Sequence, residues 1–109
     1  MEIINLTTHS LSLYNEAGEL VLEVPPSGTV ARVKTLAVKA GETPEGVPLY
    51  QTEFGGIEGL PAPQPDTIYA VSALVRGHPD VQARLDVYSP GRLLRDEDGR
   101  PIGAVGLTR

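Results

Sequence analysis

Asn15-Glu16-Ala17-Gly18 and Asp96-Glu97-Asp98-Gly99 decide how this chain is read. Each opens with Asn or Asp, passes through two polar or small residues and closes on glycine. Asn and Asp start such turns by accepting backbone N–H groups two residues on. Glycine then takes the left-handed conformation that closes a three-residue hairpin with a bulge. Short apolar runs flank both turns, which predicts a β-meander at each end of the chain.

Working outward from the first turn, Leu11 and Leu13 alternate with Ser10 and Ser12, the pattern of a half-buried strand. Leu20, Leu22 and Val24 alternate with Val21 and Glu23 beyond it, and Glu2 to Leu6 reads as a strand before it. Pro25-Pro26-Ser27-Gly28 ends the meander, because proline donates nothing to a ladder. From Thr29 to Ala40 a longer run puts Val30, Arg32 and Lys34 on one face and Ala31, Val33 and Thr35 on the other. A bulge is expected at Leu36-Ala37-Val38.

Gly41 to Pro48 reads as a polar loop, and Val47 to Phe54 as a strand that ends at Gly55-Gly56. Gly55 to Asp66 holds three Gly and three Pro. It reads as an irregular surface loop, with a rigid crossover preferred over a functional one. Thr67 to Val75 predicts a central strand that turns helical at Ser72. Pro79 suits a first helical turn, so Asp80 to Leu85 is expected to form one or two turns. Asp86-Val87-Tyr88 is a short strand ended by Pro90-Gly91, and the second hairpin pairs Arg92–Arg95 with Pro101–Leu107. The expected fold is one domain over residues 1–109, mainly β with six to eight strands. It should form a small antiparallel sandwich or partly open barrel with at most two short helices, with α+β as the alternative.

The 109 residues carry a net charge of −5, which argues against nucleic acid and against an anionic membrane surface. No cysteine is present, so disulfides, thiolate metal sites and cysteine nucleophiles drop out, and a cytoplasmic location is expected. The first twenty residues show no signal-peptide pattern, and no apolar run reaches the length of a membrane helix. Ten prolines and seven Arg against two Lys hint at a thermophilic or GC-rich source. With one Phe, four Tyr and no Trp, the core must rest on aliphatic side chains. A small core and short strands leave sheet edges to cover, so a homodimer or larger homo-oligomer is expected.

Chemistry-bearing motifs are few. The two histidines, His9 and His78, do not share an element at metal-ligand spacing, and no cofactor or metal site is expected. Asp96, Asp98 and Gly99 are explained by a turn and lack calcium-loop spacing. No nucleophile elbow and no nucleotide-binding glycine pattern occurs. The remaining candidates are charged residues in β contexts. Arg32, Arg84 and Arg95 are the natural binders of a small anion, Asp86 would anchor one of them or His9, and His9 adds a pH-sensitive donor. Their rival is an internal ion-pair network.

Several of these residues lie in a longer ordered set. It comprises Asn5-Leu6-Thr7-Thr8-His9, Pro26-Ser27-Gly28 with Arg32-Val33, Gly59-Leu60-Pro61 and Ile68-Tyr69-Ala70-Val71-Ser72-Ala73-Leu74. It ends with Arg84-Leu85-Asp86-Val87, Pro90 and Arg95-Asp96-Glu97-Asp98-Gly99-Arg100. The set resembles a family of small uncharacterised proteins frequent in actinobacterial genomes, phages and prophages. Thr8 departs from it, since relatives usually carry proline there. The resemblance implies a stand-alone, phage-linked domain whose shared motifs include His9, Arg32, Ser72, Arg84, Asp86, Arg95 and Asp96. It implies no activity.

Two functions follow as expectations. The first is a non-enzymatic module that engages a small anionic ligand or a protein partner through His9, Arg32, Arg84, Asp86 and Arg95. The second is a small hydrolase or lyase with His9 as general base and a carboxylate that fixes its tautomer. The first is preferred, because no local motif supplies nucleophile, base and orienting group together.

Overall fold

A computed structural model describes residues 1–109. The strands are β1 (Glu2–Asn5), β2 (Leu11–Tyr14), β3 (Leu20–Val24), β4 (Arg32–Glu42), β5 (Pro48–Glu58), β6 (Thr67–Ala70), β7 (Val87–Arg95) and β8 (Pro101–Thr108). One short helix, α1 (Ala73–Arg76), and a 3-10 turn at Pro79–Val81 complete the fold. The mainly β class, the barrel-like form and the two short helical pieces are those expected from the turn spacing.

Six strands form one sheet in the order β1-β6-β7-β8-β2-β3. A bridge between Asn5 and Pro26 ties the end of β1 to the chain just past β3, and the Ser27 N–H donates to the Asn5 carbonyl at 3.0 Å. The sheet thereby curls into a nearly closed barrel. It is not purely antiparallel: β1–β6, β6–β7 and β2–β8 pair in parallel. Parallel neighbours need a crossover of a dozen or more residues. Between β6 and β7 that crossover is residues 71–86, which is why the helical pieces fall there. Ser72 caps α1 by accepting from the Val75 N–H, and Pro79 occupies the first turn of the 3-10 piece. The helical turns expected over Asp80–Leu85 therefore appear earlier and shorter.

Two other expected boundaries move. β7 runs straight through Pro90-Gly91 instead of stopping there. The Tyr88 carbonyl accepts from Val71 N–H of the β6 side, and Pro90, two residues on, turns the same way. There β6 has ended, so the missing proline N–H deprives no neighbour. Gly91 is needed for another reason: a Cβ at this position would lie 2.2 Å from the Val105 carbonyl oxygen of β8. β5 likewise passes through Gly55-Gly56 to Glu58, which leaves Gly59–Asp66 as the irregular segment.

The core is a cluster of Leu6, Ala31, Tyr69, Val71, Val75, Val81 and Val87, with Ile4, Val33, Ile57 and Leu60 packed against it. It sits where β1, β6 and β7 meet α1. Only 15 residues are buried in all. β4 and β5 explain the shortfall. They pair only with each other, over eleven residues each, and apart from Val33, Gly41 and Ile57 they are exposed throughout. The radius of gyration is 17.5 Å, against about 13 Å for a compact chain of 100 residues. β4–β5 is an arm rooted in the barrel at Val33 and Ile57.

Thr43-Pro44-Glu45-Gly46 turns the arm, and it repeats the grammar of the two end hairpins with Thr in place of Asn or Asp. In all three the glycine is left-handed, at φ +82° for Gly18, +92° for Gly46 and +80° for Gly99. In all three the first side chain accepts from the N–H four residues on: Asn15 from Glu19, Thr43 from Val47 and Asp96 from Arg100. The register shifts of the arm lie between Val33 and Thr35 and between Lys39 and Gly41, on either side of the bulge position expected at 36–38.

Candidate functional site

Asn5 shapes the first wall of the site. Its side chain is buried, and its Nδ2 donates to the carbonyls of His9 at 2.7 Å and Val24 at 3.0 Å. Its Oδ1 accepts from the Thr7 N–H at 2.9 Å and the Thr7 hydroxyl at 2.6 Å. A polar side chain in the barrel wall, with its own donors and acceptor all used, thus folds residues 5–9 into a tight loop. The His9 backbone is held in this way, whereas its ring is exposed and makes no hydrogen bond or ion pair.

Opposite that loop stand the root of β4 and the helix α1. Together they enclose a cleft of about 870 Å³. Its floor is apolar, with Leu6, Ala31 and Val75, and exposed Leu74 forms a greasy rim. His9, Arg32 and Lys34 line it as the basic groups, and Glu58, directly across the ladder from Arg32, is the one carboxylate. Neither Arg32 nor Lys34 has an ion-pair partner within 4.0 Å. Two cationic side chains and an imidazole over an apolar floor can take an anionic group carried on an apolar body.

The other predicted residues do not join them. The Arg84 guanidinium and the Asp86 carboxylate form a two-pronged pair, both bonds 2.8 Å, and the Arg84 Nη2 also donates to the Pro61 carbonyl at 3.0 Å. The Arg84 hydrogen bond holds the Asp86 pKa below its ordinary 3.8 against the opposing effect of burial, and the Asp86 bond raises that of Arg84. Tyr69, fully buried, donates its hydroxyl to the Ala62 carbonyl at 3.1 Å. Arg84 and Tyr69 together tie down the Gly59–Asp66 segment. Arg95 donates to the Gly99 carbonyl at 2.8 Å, bracing its own hairpin turn. His9, Arg84, Asp86 and Arg95 therefore do not surround one concavity. Arg84 and Arg95 spend their donors on backbone carbonyls and on Asp86, because each sits beside a turn whose carbonyls need them.

Lys34 and Leu74 are cleft residues that the sequence reading passed over. Lys34 was legible as the same-face neighbour of Arg32; Leu74 fell where the strand was expected to turn helical at Ser72, as it does in α1, but nothing local told which way its side chain would face. His78, weighed in the sequence as a metal ligand, links the arm to the barrel: its Nε2 lies 2.7 Å from the Gly55 carbonyl, and its Nδ1 accepts from the Asp80 N–H at 3.0 Å. These two partners require the neutral tautomer protonated on Nε2. No three His, Cys, Asp or Glu side chains converge as a metal site. No helix is long and apolar enough to cross a membrane.

No family model, no curated protein and no solved structure matches the chain. The geometry alone carries the functional argument.

Proposed function

We propose that this chain is a non-enzymatic interaction module that presents the β4–β5 arm to a protein partner. The arm itself carries the reading. An isolated two-stranded ribbon is at best marginally stable in water, yet this one runs for eleven residues in each strand with Leu36, Val38, Leu49, Tyr50 and Phe54 exposed. Both of its edges offer unpaired backbone groups, which natural sheets normally cover or blunt. A chain that invests a fifth of its length in an uncovered apolar ribbon is built to cover it on something else. Such a module suits the phage-linked, cytoplasmic setting expected from the sequence resemblance and the lack of cysteine.

A second reading, binding of an anion at the cleft, is favoured by the unpaired Arg32 and Lys34 over its apolar floor. The hydrolase reading is not taken up, because no carboxylate lies within reach to orient the His9 ring.

Site-specific photocrosslinking tests the arm reading. A photoreactive residue at Val38 or Tyr50 is expected to capture a protein in the cell that makes this chain, while one at Glu97 on the far hairpin captures none. Absence of any protein adduct at both arm positions, a second copy of the chain included, would refute it.

A further inference from the structure

The arm and the cleft on this molecule are chemically matched. The arm ends in Glu45 and Val47, an exposed carboxylate beside an exposed apolar side chain that is 55% accessible. Glu42, also near the tip, is already held by Lys39, whereas Glu45 has no ion-pair partner. The cleft offers the complement: Arg32 and Lys34 without partners above a floor of Leu6 and Val75, with Leu74 at the rim. The arm of a chain cannot reach its own cleft, because the cleft is built on the arm's root and the tip projects away from it.

We infer that the partner is a second copy of this chain. The two arms lie antiparallel, and each tip places Glu45 and Val47 in the cleft at the root of the other. This rests on the interaction-module reading and names its occupant. Geometry favours it over an unrelated partner. Two identical arms laid antiparallel about a two-fold axis bring tip to root at both ends by symmetry, for any arm length. The exposed Leu36 and Val38, which share one face of the ribbon, then meet the other arm along the shared stretch, so one contact covers that face and fills the cleft; Tyr50 and Phe54, paired with Lys39 and Thr35, lie on the opposite face. The charges add register. A slip of two residues along the ribbons would withdraw Glu45 from Arg32 and Lys34 while leaving much of the apolar contact, so the tip carboxylate selects one alignment.

Sedimentation equilibrium with charge reversal tests the arrangement. The 11.6 kDa chain is expected to sediment with twice that mass. Glu45→Arg and Arg32→Glu are both exposed surface changes, and each alone is expected to shift the assembly to monomer, because two cations or two carboxylates then meet at both ends. An equimolar mixture of the two variants is expected to recover the dimer. Its pairs join one reversed tip to one reversed cleft, and one native tip to one native cleft. Circular dichroism of each variant checks that the barrel is intact, and unfolding of both would be replaced by Glu45→Gln and Arg32→Gln, expected to weaken dimerisation at least tenfold. A wild-type chain that stays monomeric at high concentration overturns the inference, and so does a dimer indifferent to both substitutions. Photocrosslinks from Val38 separate the two levels of the argument: an adduct of twice the chain mass supports the self-partner, while an adduct only to another protein overturns it and keeps the interaction-module reading.

Discussion

Nε and Nη2 of Arg84 each lie 2.8 Å from an oxygen of the Asp86 carboxylate, and the same guanidinium reaches across to the Pro61 carbonyl. With side chains only 22% and 18% exposed, the pair is sheltered enough to matter for stability. It fastens the crossover into β7 to the segment that returns from the arm.

Asp86→Asn keeps the shape and removes the charge. It is expected to cost about 1–3 kcal/mol, the usual range for a charge-assisted hydrogen bond whose partner is left behind. Arg84→Ala should cost a similar amount and also free Pro61. Urea midpoints at neutral pH check both, and an unchanged midpoint would show that the pair adds nothing.

The pH dependence follows from the same geometry. The carboxyl of Asp86 titrates lower in the folded chain than its ordinary 3.8, because Arg84 favours the charged form. The unfolded chain thus takes up this proton first as acid is added. The contribution is complete above the unfolded value, and fades as pH falls from there through the depressed folded value. The stability gap between wild type and Asp86→Asn should accordingly be flat near neutrality and close in that acid window. A gap that widened in acid would contradict the assignment.

Asn5→Ala is expected to be the most damaging single polar change in the barrel. It strands the Val24 carbonyl, leaves the His9 carbonyl with only the Thr7 hydroxyl at 3.1 Å and releases the loop that walls the cleft. With each buried orphan costing about 1–3 kcal/mol, a loss of roughly 2–5 kcal/mol should appear in thermal unfolding. Asn5→Asp tests the donor side alone, since it keeps the acceptor for Thr7 and loses both bonds from Nδ2.

Gly91→Ala forces a methyl against the Val105 carbonyl, which sits 2.2 Å from the Cβ position. The β7–β8 pairing should yield there, at a cost of several kcal/mol. By contrast Gly18→Ala meets no atom within 4 Å and suffers only from its φ of +82°, so about 1 kcal/mol is expected. Comparing the two melting temperatures separates collision from backbone strain.

His78→Ala removes the strut between the 3-10 turn and Gly55 of the arm. Faster hydrogen exchange is expected at the arm root, around Lys34 and Gly55, with the amides of β6 unchanged. Equal acceleration in both places would mean that His78 supports the whole barrel rather than the arm.

Most strands were legible from the chain because their signals are local. Asn15 and Asp96 announce their turns through their own side chains, and Leu11, Leu13, Leu20 and Leu22 alternate within a few residues. The arm turn at Thr43 carried the same signal in weaker form, since a threonine hydroxyl does the work of an Asn or Asp side chain. Pro90 misled, because whether a proline breaks a strand depends on which neighbour its nitrogen faces.

The amino-acid sequence by itself determined the β class, the hairpins at both ends and the residues able to carry charge. Only the tertiary structure decided what those residues do. Arg84 and Arg95 look alike in sequence to Arg32, yet the first two are bound by carbonyls that folding brings beside them, and Arg32 is left free at the mouth of a cleft. Parallel pairing of β1 with β6, which joins segments more than sixty residues apart, is likewise beyond any local pattern. The same holds for the arm: alternation makes β4 and β5 strands, but only the closure of the barrel without them leaves them exposed.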